Sequence, residues 1–336
     1  MTMAYPDPAF RRPRARKLAR TITNLWLVAV LVLLTLAISS VRPQLVESTN
    51  MISMLRSFSI MAVMVLGLTW VIAAGQIDVS FMQVAALANM MTAALLAHGY
   101  GWSVAIAVAL GTGVLAGLIN GWLVAALRLP ALIVTIATAG ICASAAAALG
   151  KGTVIRIADA GPLGWMLNTP VLSIVPVIVL PVAVLALAAW YIQERLTLGR
   201  YIYAMAQNEA AVRSVGVPVT RLMILLFTLS GLCAAMAGVM LAASLSSGQP
   251  TIGGPFLING LTVVLLGGMM VHVGKPNILG TLTATLFLGV LFSGAALLGL
   301  PDYQRQIIQG VLLALGLGVA TWAGRHHGSR GGESEK

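Results

Sequence analysis

ISMLRSFSIMAVMVLGLTWVIAAGQIDVS, residues 52–80, decides how the rest of the chain is read. From Ile52 to Ala74 it is apolar apart from Arg56 and a few hydroxyl side chains. As a helix rising about 1.5 Å per residue, that run crosses about 30 Å of hydrocarbon. It stops at Gly75-Gln76-Ile77-Asp78-Val79-Ser80, and a new apolar run starts at Phe81 with almost no loop between. Asp78 is the sole acidic residue between Glu47 and Asp159. A carboxylate at membrane depth costs about 2.5–3.5 kcal/mol on insertion scales, so such a group faces a cavity or a partner. The alternative is a cap on the helix that follows, a task suited to Asp and Ser. Spacing leaves both open.

Working outward, similar apolar runs fill the chain. Of 336 residues, 59% are hydrophobic and 9% charged, against about 25% charged in soluble domains, and the mean hydropathy is +0.96. Runs this long are helices, because barrel strands need about ten residues each. The expected fold class is an all-α polytopic membrane protein of about ten transmembrane helices, near 22–41, 52–74, 81–98, 103–127, 130–149, 170–191, 222–244, 256–273, 279–300 and 307–322. A disordered basic head (1–20) precedes the membrane domain (21–323), and a polar tail (324–336) follows it.

The net charge of +11 is a topology signal. With the N-terminus inside, only Arg42, Arg56, Lys151, Arg156 and Arg305 among the 20 basic residues fall at or near the outer side, as the positive-inside rule requires. Both termini are then cytoplasmic, and nucleic acid is not an expected partner. The first run is about 20 residues without a following A-x-A site, so it reads as an uncleaved span. Cys142 and Cys233 fall inside spans as small apolar residues. His326 and His327 lack further ligands, so no metal site is expected. There is no Ser/His/Asp set and no phosphate-binding G-x-x-x-x-G-K-[ST] loop, so the chain is not read as an enzyme and does not hydrolyse ATP itself.

Glycines mark the helix interfaces: Gly111, Gly113 and Gly117 on one span, Gly231 and Gly238 on another. Small residues let backbones approach in lipid. A second polar break, Ser246 to Pro255 (SSGQPTIGGP), carries no charge and cannot be continuous helix. Irregular backbone at such a place lines a path or is buried in protein, or else it is an ordinary outer loop. Each half of the chain thus has one broken span, a layout common in transporters.

The longest polar interruption, 192–221, contains GRYIYAMAQNEAAVRSVG, residues 199–216. Asn208 is a good N-cap, Glu209 complements the helix dipole, Ala210 and Ala211 favour helix, Arg213 sits four residues after Glu209, and Gly216 terminates. Two turns are too short to stand alone in water. The small-faced helix suits a protein groove better than a lipid surface.

In order, IDVS (77–80), NGWLVAALRLPALIVTIATAG (120–140), GRYIYAMAQNEAAVRSVGV (199–217), LSGLCAAMAGVMLAA (229–243), QPTIGG (249–254), LTVVLLGG (261–268) and LGT (279–281) resemble the permease subunits of ribose-type ABC sugar importers, over about residues 55–320. The resemblance implies a ten-span fold like the vitamin B12 importer, in the bacterial inner membrane. It implies pairing with a second permease subunit, identical or a sister chain, and delivery of a monosaccharide or related polyol by a periplasmic binding protein. ATP and Mg would belong to a partner ATPase dimer, docked on Asn208, Glu209, Ala210, Ala211, Arg213 and Gly216. Asp78, Gln249, Thr251 and Asn259 are its implied pathway residues. The chain departs from the pattern at Gln76, at Phe81-Met82 and at Gly253-Gly254-Pro255, which leaves the sugar open. Alternatives are a branched-chain amino-acid or nucleoside ABC permease, or an ion-coupled secondary transporter. The last would need coupling carboxylates in the spans, where Asp78 stands alone.

Overall fold

The computed structural model describes residues 13–311 other than 172, 272, 273 and 302, with residue 314. The polar tail, residues 1–12 and most of the 307–322 span lie outside the described residues. The chain is helical almost throughout. α1 (Pro13–Val41) takes in the later part of the basic stretch; the 3-10 turn Pro43–Val46 leads to α2 (Ser48–Ala73) and then α3 (Phe81–Ala97), α4 (Trp102–Ala125) and α5 (Ala131–Leu149). A short strand, β1 (Ile155–Arg156), precedes α6 (Gly161–Asn168) and the hairpin of β2 (Pro170–Val171) and β3 (Val175–Pro176). α7 (Val179–Arg195) and α8 (Thr197–Ser214) follow, bent by 66° at Leu196. α9 (Val219–Leu245), β4 (Ser247–Gly248), α10 (Phe256–Gly267) and α11 (Ile278–Leu297) complete the described elements.

Among the described residues, five helices (α2, α4, α5, α9 and α11) are long and apolar enough to cross a membrane unbroken, six if the bent α7–α8 pair counts as one. Two expected spans are corrected. The run expected over 170–191 starts at Val179, because Pro170 to Pro176 forms a hairpin instead. The run expected over 256–273 ends as a helix at Gly267, so α10 is 12 residues, about 18 Å, and cannot span alone.

α9 is the hub. Its Ile224, Phe227–Thr228 and Gly231 backbones lie against Gly121, Gly117 and Gly113 of α4, where a Cβ on any of the three would overlap α9 backbone. Gly67 of α2 lies against Leu229 and Ser230, and Gly238 against Ala85 and Ala88 of α3. Close backbone approach replaces the hydrophobic drive that lipid does not provide. Gly111 is the exception among the glycines expected at interfaces: nothing lies within 4 Å of its Cβ position.

Gly231→Val forces the α4–α9 backbones apart, an overpacking cost of about 1–3 kcal/mol. It should lower both folded yield and the apparent Tm in detergent, whereas Gly111→Val should leave both unchanged. Equal Tm values for the two variants by thermal-shift fluorescence would contradict this packing.

Candidate functional site

Two features carry chemistry: a pair of backbone breaks inside the bundle, and an exposed helix at one end of it. At the first break α2 stops where Gly75 takes φ +81, with Ala206 of α8 packed 3.2 Å from its Cβ position. The chain then turns back inward. Asp78 is 1% exposed. Its Oδ1 accepts hydrogen bonds from the Ser80 backbone N–H (2.8 Å) and hydroxyl (2.6 Å), and its Oδ2 accepts one from the Ser230 hydroxyl (2.7 Å). Ser230 lies 11 residues into α9, about 17 Å from that helix's start. The carboxylate therefore sits deep in the bundle. It turns the chain into α3, whose N-cap is Ser80, and ties the turn to α9. Asn120 of α4 extends the network: it donates to the Ser80 hydroxyl (2.9 Å) and accepts from Thr138 of α5 (2.5 Å). Thr135 accepts from the Val79 backbone N–H at 3.2 Å. None of these partners is a cation; Arg56 bonds Asn168 instead, at 2.6 Å.

The second break opens at the far end of α9. β4 pairs antiparallel with β1, Ile155 opposite Gly248 and Arg156 opposite Ser247. Asn89 of α3 then takes up the strand's loose ends: its Oδ1 accepts from the Gln249 N–H (2.7 Å) and its Nδ2 donates to the Ser247 carbonyl (3.2 Å). Gly248 packs against Met90 and Ala93, and Gly253 against the Met82 carbonyl. Between those two contacts the chain runs through successive turns, the Gln249 carbonyl accepting from the Ile252 N–H and the Thr251 carbonyl from the Gly254 N–H. The segment re-enters the bundle, and α10 begins inside it with Gly260 against the Phe81 ring.

Of the expected pathway residues, Asp78 lies in the first network, Gln249 is held by Asn89, and Thr251 is exposed on the re-entrant segment. Asn259 borders a cleft of about 140 Å³ with Phe58, Phe256 and Phe292. The Asn259 Oδ1 is buried without a partner, and so is Gln83 Oε1, near Gly253. Sequence reading missed Gln83, Asn89, Asn120 and Ser230. Their signal was an amide or hydroxyl inside an otherwise apolar span.

At the other end, the helical line of α8 breaks at Asn208 (φ −157, ψ 93). The Asn208 side chain accepts from the Ala211 N–H at 3.0 Å, the N-cap geometry, which contributes about 1 kcal/mol. Arg213 meets Glu209 at 2.7 Å, an exposed pair contributing about 0.3–0.5 kcal/mol. Gly216 closes the helix with φ +85. Val212 is buried, while Asn208, Glu209, Ala210, Ala211, Arg213 and Gly216 are exposed. An open groove of about 760 Å³ runs beside it, bordered by Gln76, Arg128, Glu209 and Arg213. Val215, at the tip, is 77% exposed.

In Asp78→Asn the amide oxygen still serves Ser80, and the Ser230 hydroxyl turns to accept from the amide nitrogen, so folded yield should hold. Asp78→Ala leaves Ser80 and Ser230 unanswered, a loss of about 1–3 kcal/mol. Thermal unfolding in detergent compares them; a Tm for Asp78→Ala equal to wild type would remove the tie.

Residues 50–317 match the family model described as branched-chain amino acid transport system / permease component. The ribose import permease protein RbsC of Escherichia coli K12 is 33% identical over 306 residues, 88% of this chain and 94% of that protein. RbsC of Bacillus subtilis is 29% identical over 85% of this chain and 88% of its own length. The autoinducer 2 import system permease protein LsrD of Yersinia enterocolitica is 30% identical over 77% and 79%. An inward-facing structure of a transporter described as of metal-chelate ABC type superposes with a TM-score of 0.55, over 90% of this chain and 99% of that one; at 16% identity it speaks to the fold alone. With more than half its length matched, the chain belongs to the branched-chain amino acid transport system / permease component family, in its ribose-type ABC permease branch.

Proposed function

We propose that the chain is the membrane permease of an ATP-binding cassette importer that passes a monosaccharide or related polyol, delivered by a periplasmic binding protein, into the cytoplasm. The observation that carries this reading is the helix 208–216: capped, ion-paired, anchored by one buried side chain and otherwise offered to a partner. Its occupant is a cytoplasmic ATPase dimer, which binds the ATP and Mg that this chain does not. The chain pairs with a second permease subunit, and both termini are cytoplasmic in a ten-span arrangement like the vitamin B12 importer. Closure of the ATPases moves the docked helices, and substrate crosses between the subunits by alternating access.

Hydroxyl-rich cargo is favoured by relatives whose names specify ribose, galactofuranose and autoinducer 2 import. The unpartnered amide oxygens of Gln83 and Asn259, beside phenylalanine rings at Asn259, supply acceptors and apolar faces suited to a sugar. The family description keeps a branched-chain amino acid as the second reading. A panel of labelled pentoses, hexoses, polyols and branched-chain amino acids in uptake assays separates the two, and selective uptake of the amino acids would overturn the first.

Glu209→Arg reverses the dipole complement and breaks the pair with Arg213. It should cut uptake at least about tenfold while the protein still inserts and folds, a loss of at least about 1.4 kcal/mol in coupling. Normal uptake by that variant would contradict the docking assignment. Orientation has its own check. With Cys142 and Cys233 replaced by Ala, a cysteine at the exposed neighbour Ser246 (Ser246→Cys) should react with an impermeant maleimide from outside the cell and Ser214→Cys only in inverted vesicles. The opposite pattern would place helix 208–216 on the wrong side for a cytoplasmic ATPase.

A further inference from the structure

We propose that Gln193 and Tyr203 are positioning residues that clamp the ATPase-docking segment to α10, so that movement of the docked helix reaches the re-entrant segment 249–255. This rests on the reading that helix 208–216 docks an ATPase.

The clamp closes on one carbonyl. Gln193, at the end of α7 and 3% exposed, donates from Nε2 to the Pro276 carbonyl at 3.1 Å. Tyr203, in the first half of α8, donates its hydroxyl to the same oxygen at 3.0 Å. Gln193 Oε1 also accepts the Ile278 N–H at 2.9 Å, so that one amide holds both sides of the turn entering α11. Gly199 makes this possible: its Cα lies against the Gln193 backbone, where any Cβ would collide, which lets α8 fold back at the 66° bend. Lys275 Nζ stands over the Tyr203 ring, 5.5 Å from its centre. Burial, with the Glu194 charge nearby, pushes the Tyr203 phenol up, so it remains a donor at neutral pH.

Beyond Pro276 the connection is stiff. Asn277 donates to the Met270 carbonyl (2.7 Å) and accepts from the Gly280 N–H (2.8 Å), capping α11. The Gly267 and Gly280 backbones touch, locking the end of α10 to the start of α11. α10 then runs about 18 Å as one rigid rod to the re-entrant segment at Pro255. A shift of α8 is therefore delivered to Thr251 and Gly253 through hydrogen bonds and a helix, not through loose loop.

The test follows the far end of the rod. Thr251→Cys is introduced with Cys142→Ala and Cys233→Ala, and the full transporter is prepared with its ATPase in membrane vesicles. Labelling by N-ethylmaleimide is timed with and without a non-hydrolysable ATP analogue. With Gln193 and Tyr203 intact the analogue should change the rate at least about threefold, the scale of one hydrogen bond biasing a two-state equilibrium. In Gln193→Leu/Tyr203→Phe the change should vanish while the ATPase still co-purifies. Tyr203→Phe alone, which keeps the ring under Lys275 and should fold normally, should roughly halve the change. If Tyr203→Phe and the double variant respond like the intact protein, the clamp is overturned and the docking reading stands. If the intact protein shows no response and loses the ATPase no less readily than Glu209→Arg does, the docking reading fails and the clamp with it.

Discussion

The structure depends on one constraint: where a membrane bundle breaks its helices, every freed backbone group must find a partner inside the protein. Two of this chain's breaks, at 74–80 and 246–255, are answered with polar side chains from neighbouring helices. At the first, Asp78 gathers the Ser80 N–H and the Ser80 and Ser230 hydroxyls, while Thr135 answers Val79. At the second, a single amide on Asn89 serves both the Gln249 N–H and the Ser247 carbonyl. A carboxylate deep in lipid is costly in isolation; surrounded by three donors at the head of a helix, it becomes the joint that holds α3 to α9.

That joint exists because the backbones are close. Gly67 allows α2 to lie directly on Ser230, and Gly113, Gly117 and Gly231 seat α4 against α9 with no side chain between. The same approach brings Asn120 within reach of Ser80. Small residues and polar residues therefore act together: the first set the distance, and the second use it. The two breaks also meet in space, since Gly253 of one lies on Met82, just after the other.

The parts of this arrangement that were legible in the sequence are those set by local chemistry. Asn208, Glu209, Arg213 and Gly216 declare a capped helix within nine residues, and the structure supplies its cap, pair and terminator. Asp78 declares a break because a carboxylate, with Gly75 and Gln76 before it, interrupts two apolar runs. Harder to read was any partner distant in the chain. Ser230 lies 152 residues from Asp78, and Asn89 lies 160 from Gln249, so neither pairing leaves a spacing to recognise. Apolar composition also misled at 170–178 and past Gly267, because a short apolar run does not by itself distinguish helix from hairpin or turn. Pro170 and Pro176 at the first, and Gly267, Gly268 and Gly274 at the second, were the hints of chain that is not helical.

The central claim, that helix 208–216 is the contact with an ATPase, is tested most directly by a photo-cross-linking amino acid at Ala210 in the intact membrane complex. Ala210 is exposed on that helix and borders the groove beside it. Irradiation should join the chain to a nucleotide-binding subunit, recovered as a defined adduct by mass spectrometry. Adducts confined to lipid, or to another copy of this chain, would contradict the account.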